Sequence, residues 1–150
     1  MSEPPSPETT LDWSVGLPAG WEVREMGREV WVRARLGWKG LTADEYVSEG
    51  ISMLATPNIK DENIDYAGAN KITVERYQES PEIMLKDGDV LLTKDGSTIG
   101  TVNTVRRLLA PATVNGSIAV LTPTGNLDGR FLYWFLASAY AQALFDRLRG

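Results

Sequence analysis

Residues 83 to 102 constrain the fold more than any other stretch, because two Asp-Gly turns frame a short apolar run. Asp87-Gly88 leads into Val90-Leu91-Leu92, and Asp95-Gly96 opens the segment Ser97 to Val102. Glycine suits such turns because it adopts positive φ at little steric cost. The pattern predicts a tight β-hairpin whose tip carries Lys94, Asp95, Ser97 and Thr98. Lys94, Ser97 and Thr98 have the chemistry to contact a phosphate or a base edge. The bland alternative is a solvated turn in which Ser97 and Thr98 satisfy the local backbone. Both readings stand at this point.

The chain has 150 residues, 43% hydrophobic and 23% charged, which suits one soluble domain with a real core. It contains no Cys, so disulfides, thiolate metal sites and cysteine nucleophiles are excluded. It also contains no His, which removes the usual general base, the commonest zinc ligand and the Ser-His-Asp arrangement together. No apolar run approaches the roughly 20 residues that cross a bilayer. The opening Met-Ser-Glu-Pro-Pro-Ser-Pro-Glu is acidic and proline-rich, unlike a signal peptide. These features lead to the expectation of a cytoplasmic protein with no membrane partner.

Fifteen basic residues against 20 acidic ones give a formal charge of -5, which counts against nucleic acid as a partner. Mapping the charges weakens that objection. Glu3, Glu8 and Asp12 fall in the opening segment, whereas Arg33, Arg35 and Lys39 lie close together, as do Arg106 and Arg107. A local basic surface on an acidic domain is compatible with this distribution.

Residues 1 to 12 read as a flexible N-terminal tail, and the folded unit is expected to span 13 to 150 as a single domain. Leu17-Pro18-Ala19-Gly20-Trp21 predicts a turn and a short strand through Val23. Between Val30 and Leu36 the alternation puts Val30, Val32, Ala34 and Leu36 on one strand face and Trp31, Arg33 and Arg35 on the other. Gly50 to Leu54 reads as a further strand, ended by Pro57. Residues 58 to 70 read as loop, with Ile64 and Tyr66 as anchors. Thr73 caps a short helix through Glu79, closed by Ser80-Pro81. Strands are expected at Thr104 to Leu109 and Ile118 to Leu121, with a turn at Asn115-Gly116. One long helix from Asp128 to Arg149 closes the chain, its apolar face built from Phe131, Leu132, Phe135, Leu136, Ala139, Ala143 and Leu144. Trp21, Trp134 and Phe135 read as core. The fold class is therefore α+β: a strongly twisted, partly barrel-like mixed sheet with a short helix and a long C-terminal helix.

The order of these pieces resembles the target recognition domain of type I restriction-modification specificity subunits. The resemblance runs through Leu17-Pro18-x-Gly20-Trp21, then Tyr46-Val47-Ser48-Glu49-Gly50-Ile51-Ser52-Met53-Leu54 and Asn58-Ile59. It continues in Lys71-Ile72-Thr73-x-Glu75-x-Tyr77, Leu85-Lys86-Asp87-Gly88-Asp89-Val90-Leu91 and Gly96-Ser97-Thr98-Ile99-Gly100. It ends in Phe131-Leu132-x-Trp134-Phe135-Leu136-x-Ser138. Each piece alone is common; together they cover about residues 17 to 150 in the family's order. Two departures stand out. The family's spacer helix and second recognition domain do not follow Gly150, so a fragment or half-length subunit is expected. Where the family often carries Asn-Gln, this chain has Asn115-Gly116-Ser117.

The resemblance implies sequence-specific recognition of double-stranded DNA, reading one half of a bipartite target. The major groove is where each base pair shows a distinct pattern of donors and acceptors. The chain itself would be non-catalytic and free of cofactors. Methyltransferase and restriction subunits would be its partners and would use S-adenosylmethionine, ATP and Mg²⁺. Arg33, Arg35 and Lys39, with Trp31 and Trp38 between them, are the first candidates for DNA contact, since arginine can bridge guanine O6 and N7. The alternative makes Arg33 and Arg35 the solvent face of an edge strand, with Trp31 packed against a neighbour. Lys94, Ser97 and Thr98 at the hairpin tip are further candidates. Asn115 and Ser117 could read a base, or Asn115 could serve the turn alone. Lys60 and the pair Arg106-Arg107 are candidate phosphate contacts.

Two rival classes remain. A metal-dependent hydrolase would use Asp87, Asp89 and Asp95 to hold a hard cation. No acid lies two residues before any lysine, so the acid-x-Lys pattern of many metal-dependent nucleases is missing, and Asp beside Gly is first a turn former. A protein-interaction domain would use an apolar strip of the last helix.

Overall fold

A computed structural model describes residues 15–34 and 38–149. The expected flexible tail 1–12, with Trp13, Arg35, Leu36 and Gly150, lies outside the described residues. The chain is α+β, with two sheets in place of the single sheet expected, and neither closes into a barrel.

After a short helix α1 (Met26–Glu29), strand β1 (Val30–Arg33) joins a four-stranded antiparallel sheet with β4 (Val90–Thr93), β5 (Val102–Thr104) and β7 (Ile118–Pro123), in the order β1-β7-β4-β5. A second, three-stranded sheet has the order β3-β2-β6, from β2 (Ile51–Leu54), β3 (Asn70–Ile72) and β6 (Ala112–Val114). Within it β2 runs parallel to β6 and antiparallel to β3. Asn115-Gly116 is a turn, as expected, but it forms no hairpin: it carries the chain from β6 in one sheet to β7 in the other.

The main core lies between the sheets. Met53, Leu54, Ile72 and Val114 from one meet Leu91, Ile118 and Val120 from the other, joined by Ile59, Ile83 and Val105. Ile64 and Tyr66 pack against it as anchors. The opposite face of the four-stranded sheet buries Val30, Val90 and Leu121 under Leu132 and Leu136 of helix α4 (Gly129–Ala137). Covered on both sides, β7 is buried at every position but its last, so it shows no alternation. Fully burying one leucine contributes about 1.5–3 kcal/mol, so these two layers hold the fold.

The helix α3 (Val74–Gln78) starts where expected, with the Thr73 hydroxyl accepting from the Arg76 N–H at 3.2 Å. The predicted strand through Val23 is absent, and Trp21 stands 57% exposed, its ring 6.0 Å from Phe131. The long last helix is two helices. Ser138 takes an extended conformation (ψ 153°) between α4 and α5 (Ala139–Leu148), and its hydroxyl caps the second by accepting from the Ala141 N–H. Because α4 turns Leu132 and Leu136 to the sheet, Phe131, Trp134 and Phe135 face outward, Trp134 at 70% exposure. The reading of Trp21, Trp134 and Phe135 as core is thus corrected. Among the described residues, no helix is long and apolar enough to cross a membrane.

Candidate nucleic-acid interface

The predicted hairpin forms, with Val90 opposite Thr104 and Leu92 opposite Val102. Its connection is wider than the tight turn expected, running over residues 94–101. Gly100 closes it by donating its N–H to the Thr93 carbonyl at 3.0 Å, and the Thr93 N–H donates to the Thr101 carbonyl at 2.9 Å. Helix α5 holds the loop from behind. Gln142 Nε2 donates to the Gly100 carbonyl at 2.9 Å, and Arg149 donates from Nε and Nη2 to the Ile99 carbonyl.

Three other segments meet this loop at the same end of the two sheets. The Lys94 N–H donates to the Ser117 carbonyl at 2.9 Å, which joins the hairpin tip to the corner between sheets. The Asn115 N–H donates to the Leu54 carbonyl at 2.8 Å, and the Thr56 and Thr93 hydroxyls lie 3.0 Å apart. Those contacts bring in helix α2 (Thr56–Ile59), which follows β2. The indole Nε1 of Trp38 donates to the Val114 carbonyl at 3.0 Å, which sets the Lys39 turn beside the same corner. Lys39, Lys94, Ser97, Thr98, Asn115 and Ser117 therefore come from loops that converge.

Lys39 is exposed and holds φ at 35°, the left-handed region that a residue with a Cβ adopts at a cost. Lys94 is half-buried and pairs with Asp95 at 3.4 Å. Ser97 and Thr98 are exposed, and their hydroxyls make no hydrogen bond among the described residues. Asn115 fills the turn role: its Oδ1 accepts from the Ser117 N–H at 3.0 Å, while its NH₂ group keeps no partner among the described residues.

Two predicted contacts do not belong to this surface. Arg33 is buried, 6% exposed. Its Nη2 donates to Asp89 Oδ2 and to the Thr122 hydroxyl, both at 2.7 Å, and its Nη1 donates to the Met84 carbonyl at 2.9 Å. The guanidinium lies 4.9 Å from the Trp31 ring centroid. Burial along β1 runs buried, exposed, exposed, buried and so departs from the expected alternation: Arg33 turns its guanidinium inward beside β7 and β4, where the fully buried Asp89 waits. Thr122 completes the knot by donating to Asp89 Oδ1 at 2.6 Å, and the Lys86 N–H donates to Oδ2 at 2.9 Å. Trp38 is buried and anchors its loop from the core. Neither side chain can reach a groove from there. Val32, expected inside, is 54% exposed because β1 is an edge strand. Arg35 falls outside the described residues. Lys60 is exposed but stands apart from the tip, beside β5, where Asn103 Nδ2 donates to the Ile59 and Asp61 carbonyls.

The three aspartates of the hydrolase reading are not one cluster. Asp89 is locked by Arg33, Asp87 accepts from the Leu108 N–H at 2.6 Å, and Asp95 lies at the opposite end of β4. Among the described residues, no group of three or more acids is placed to hold a metal ion. Sequence pattern held no pointer to Thr56, which reaches the tip through its contact with Thr93.

The fold so defined is a pair of small sheets closed by two short helices, with its loops gathered at one end. Solved structures share it. The chain is similar to the HsdS subunit from Thermoanaerobacter tengcongensis, with a TM-score of 0.67 at 17% identity, over 97% of this chain and 32% of that one. It is likewise similar to a structure from work on complex assembly and conformational transition of the type I R-M system, with TM-score 0.63, 18% identity, and coverage of 97% and 31%. A type I restriction-modification S subunit from M. genitalium matches with a TM-score of 0.52 at 14% identity, over 81% of this chain and 27% of that one. This chain thus has a fold found in type I S subunits and spans about a third of the length of those it matches. No family model matches the chain, and no curated protein matches it by sequence.

Proposed function

We propose that this chain is a target recognition domain that reads duplex DNA by sequence, as one half of the specificity component of a type I restriction-modification system. The observation that carries the proposal is the convergence of polar loops at one end of a fold shared over 97% of the chain with an HsdS subunit. Lys39 supplies positive charge there despite the acidic total, Lys94 adds an ammonium donor that is paired with Asp95 at 3.4 Å, and phosphate contacts of that kind fix register on a duplex. Asn115, with a free NH₂ group and a second lone pair on Oδ1, suits adenine N6 and N7. Ser97, Thr98 and Ser117 add hydroxyls that can donate or accept. Lys60, apart from the tip, and Arg35, outside the described residues, are further candidates for phosphate contact. Trp38 supports the surface from beneath.

In this reading the chain performs no chemistry. It presents one half of a bipartite target to methyltransferase and restriction subunits in the cytoplasm, and S-adenosylmethionine, ATP and Mg²⁺ act in those partners. The test is to graft residues 13 to 150 into an intact specificity subunit and map the methylated motif. The graft should change one half-site and leave the other alone. A motif with both halves unchanged defeats the proposal.

A further inference from the structure

Strand β5 is the outer edge of the four-stranded sheet, and it links the tip loops to a second group of cations. At one end of the strand lies Lys94. At the other, Val105 donates its N–H to the Asp89 carbonyl at 2.8 Å, and the chain then presents Arg106 and Arg107, both exposed. Between them Asn103 fixes the loop that carries Lys60. Lys94, Lys60, Arg106 and Arg107 therefore follow one edge. Only Lys94 among them has an ion-pair partner among the described residues.

Two shallow depressions flank Arg106. One, of about 200 Å³, is lined by Glu62, Asn63, Tyr66, Thr104 and Arg107. The other, of about 380 Å³, is lined by Gly88, Thr104, Asp128, Gly129 and Arg130. Thr104 forms part of both walls, and its buried hydroxyl has no hydrogen-bond partner among the described residues, so polar capacity remains unused there. Arg130 is already engaged by Asp128 at 2.9 Å, which leaves Arg106 and Arg107 as the open donors.

We infer that Arg106 and Arg107 form a second hold on the sugar-phosphate backbone of duplex DNA, at the far end of β5 from the tip. This rests on the DNA-recognition reading. The guanidinium fork matches phosphate oxygens in a bidentate way that a single lysine cannot. From Gly100 to Arg106 a fully extended chain spans at most about 20 Å, and the strand itself covers Val102–Thr104. A duplex laid along this edge presents a phosphate charge about every 1.7 Å of its axis, so one duplex can meet both ends. Asp61 and Glu62 lie on the same side and limit the attraction, so the hold acts at contact distance and carries no base information.

The test uses the full chain, fluorescent duplexes of several unrelated sequences, and a salt series from roughly 50 to 200 mM. The double variant R106A/R107A should weaken binding by a similar factor on every duplex. Its dependence of log affinity on log salt should be shallower by about 2, one for each lost contact. Its unfolding midpoint should match that of the unaltered chain, because both side chains are exposed. Unchanged affinity and salt slope overturn the second hold while leaving DNA recognition intact. A loss confined to one sequence also overturns it. If the unaltered chain binds none of the duplexes, both proposals fall together.

Discussion

The Arg33–Asp89–Thr122 knot and the loop cluster around Lys39 and Lys94 are built from the same kinds of side chain, yet one is closed and the other open. In the knot the carboxylate takes three donors, and of the arginine nitrogens only Nε lacks a partner. In the loop cluster Ser97 and Thr98 keep their hydroxyls free, and Lys39 extends into solvent with no ion pair among the described residues. The difference lies in what surrounds each group. Taking a charge from water costs several kcal/mol, so a buried arginine survives only where partners saturate it. At a loop end water satisfies every group, and the side chains remain available to a ligand. Polar residues inside the sheet therefore serve stability, and those at its end stay open to solvent.

Removing one partner from the knot should give the largest effect. Asp89→Ala leaves a buried guanidinium without its counter-charge and should destabilise the fold by about 3–5 kcal/mol, measured by urea unfolding. A loss below about 1 kcal/mol would mean that the two regions do not differ as described. A smaller effect is expected at Gly100, which holds φ at 96° and where an added Cβ would lie 3.0 Å from Phe145. Gly100→Ala should cost about 1–3 kcal/mol and loosen the tip, seen as faster amide exchange over residues 94–101. Unaltered exchange there would show that the loop does not depend on its anchor. The smallest effect on stability belongs to the open cluster. Lys39→Ala with Lys94→Ala should leave unfolding within about 0.5 kcal/mol of the unaltered chain while weakening duplex binding. Equal binding by both proteins would remove these lysines from the interface.

Much of the framework was legible in the sequence. The hairpin, β2, the Thr73-capped helix and the anchors Ile64 and Tyr66 each depend on short-range turn chemistry or on one residue's own preference. What escaped depends on neighbours distant in sequence. Alternation in β1 separates two faces but cannot say which one meets water, so Arg33 reads as exposed until Asp89 is found 56 positions away. The division into two sheets rests on a corner at Asn115 that looks, in one dimension, like an ordinary hairpin turn. The apolar spacing from Phe131 to Leu144 runs straight through Ser138, and no residue there forbids a continuous helix. Only the sheet beneath selects Leu132 and Leu136 and turns Phe131 and Trp134 outward. Of the candidate site, the hairpin and corner residues were visible through their turn signals. The role of Trp38 was not, because its partner is a main-chain carbonyl that carries no sequence signature.

The contacts from α5 to the tip loop end on the carbonyls of Ile99 and Gly100, groups that every amino acid carries. Asp95, Ser97 and Thr98 can consequently be exchanged without disturbing the clasp that holds them, whereas Gly96, at φ 77°, keeps the turn. In the proposed reading, such a division lets new preferences arise by exchanging a few letters on a mount that stays the same.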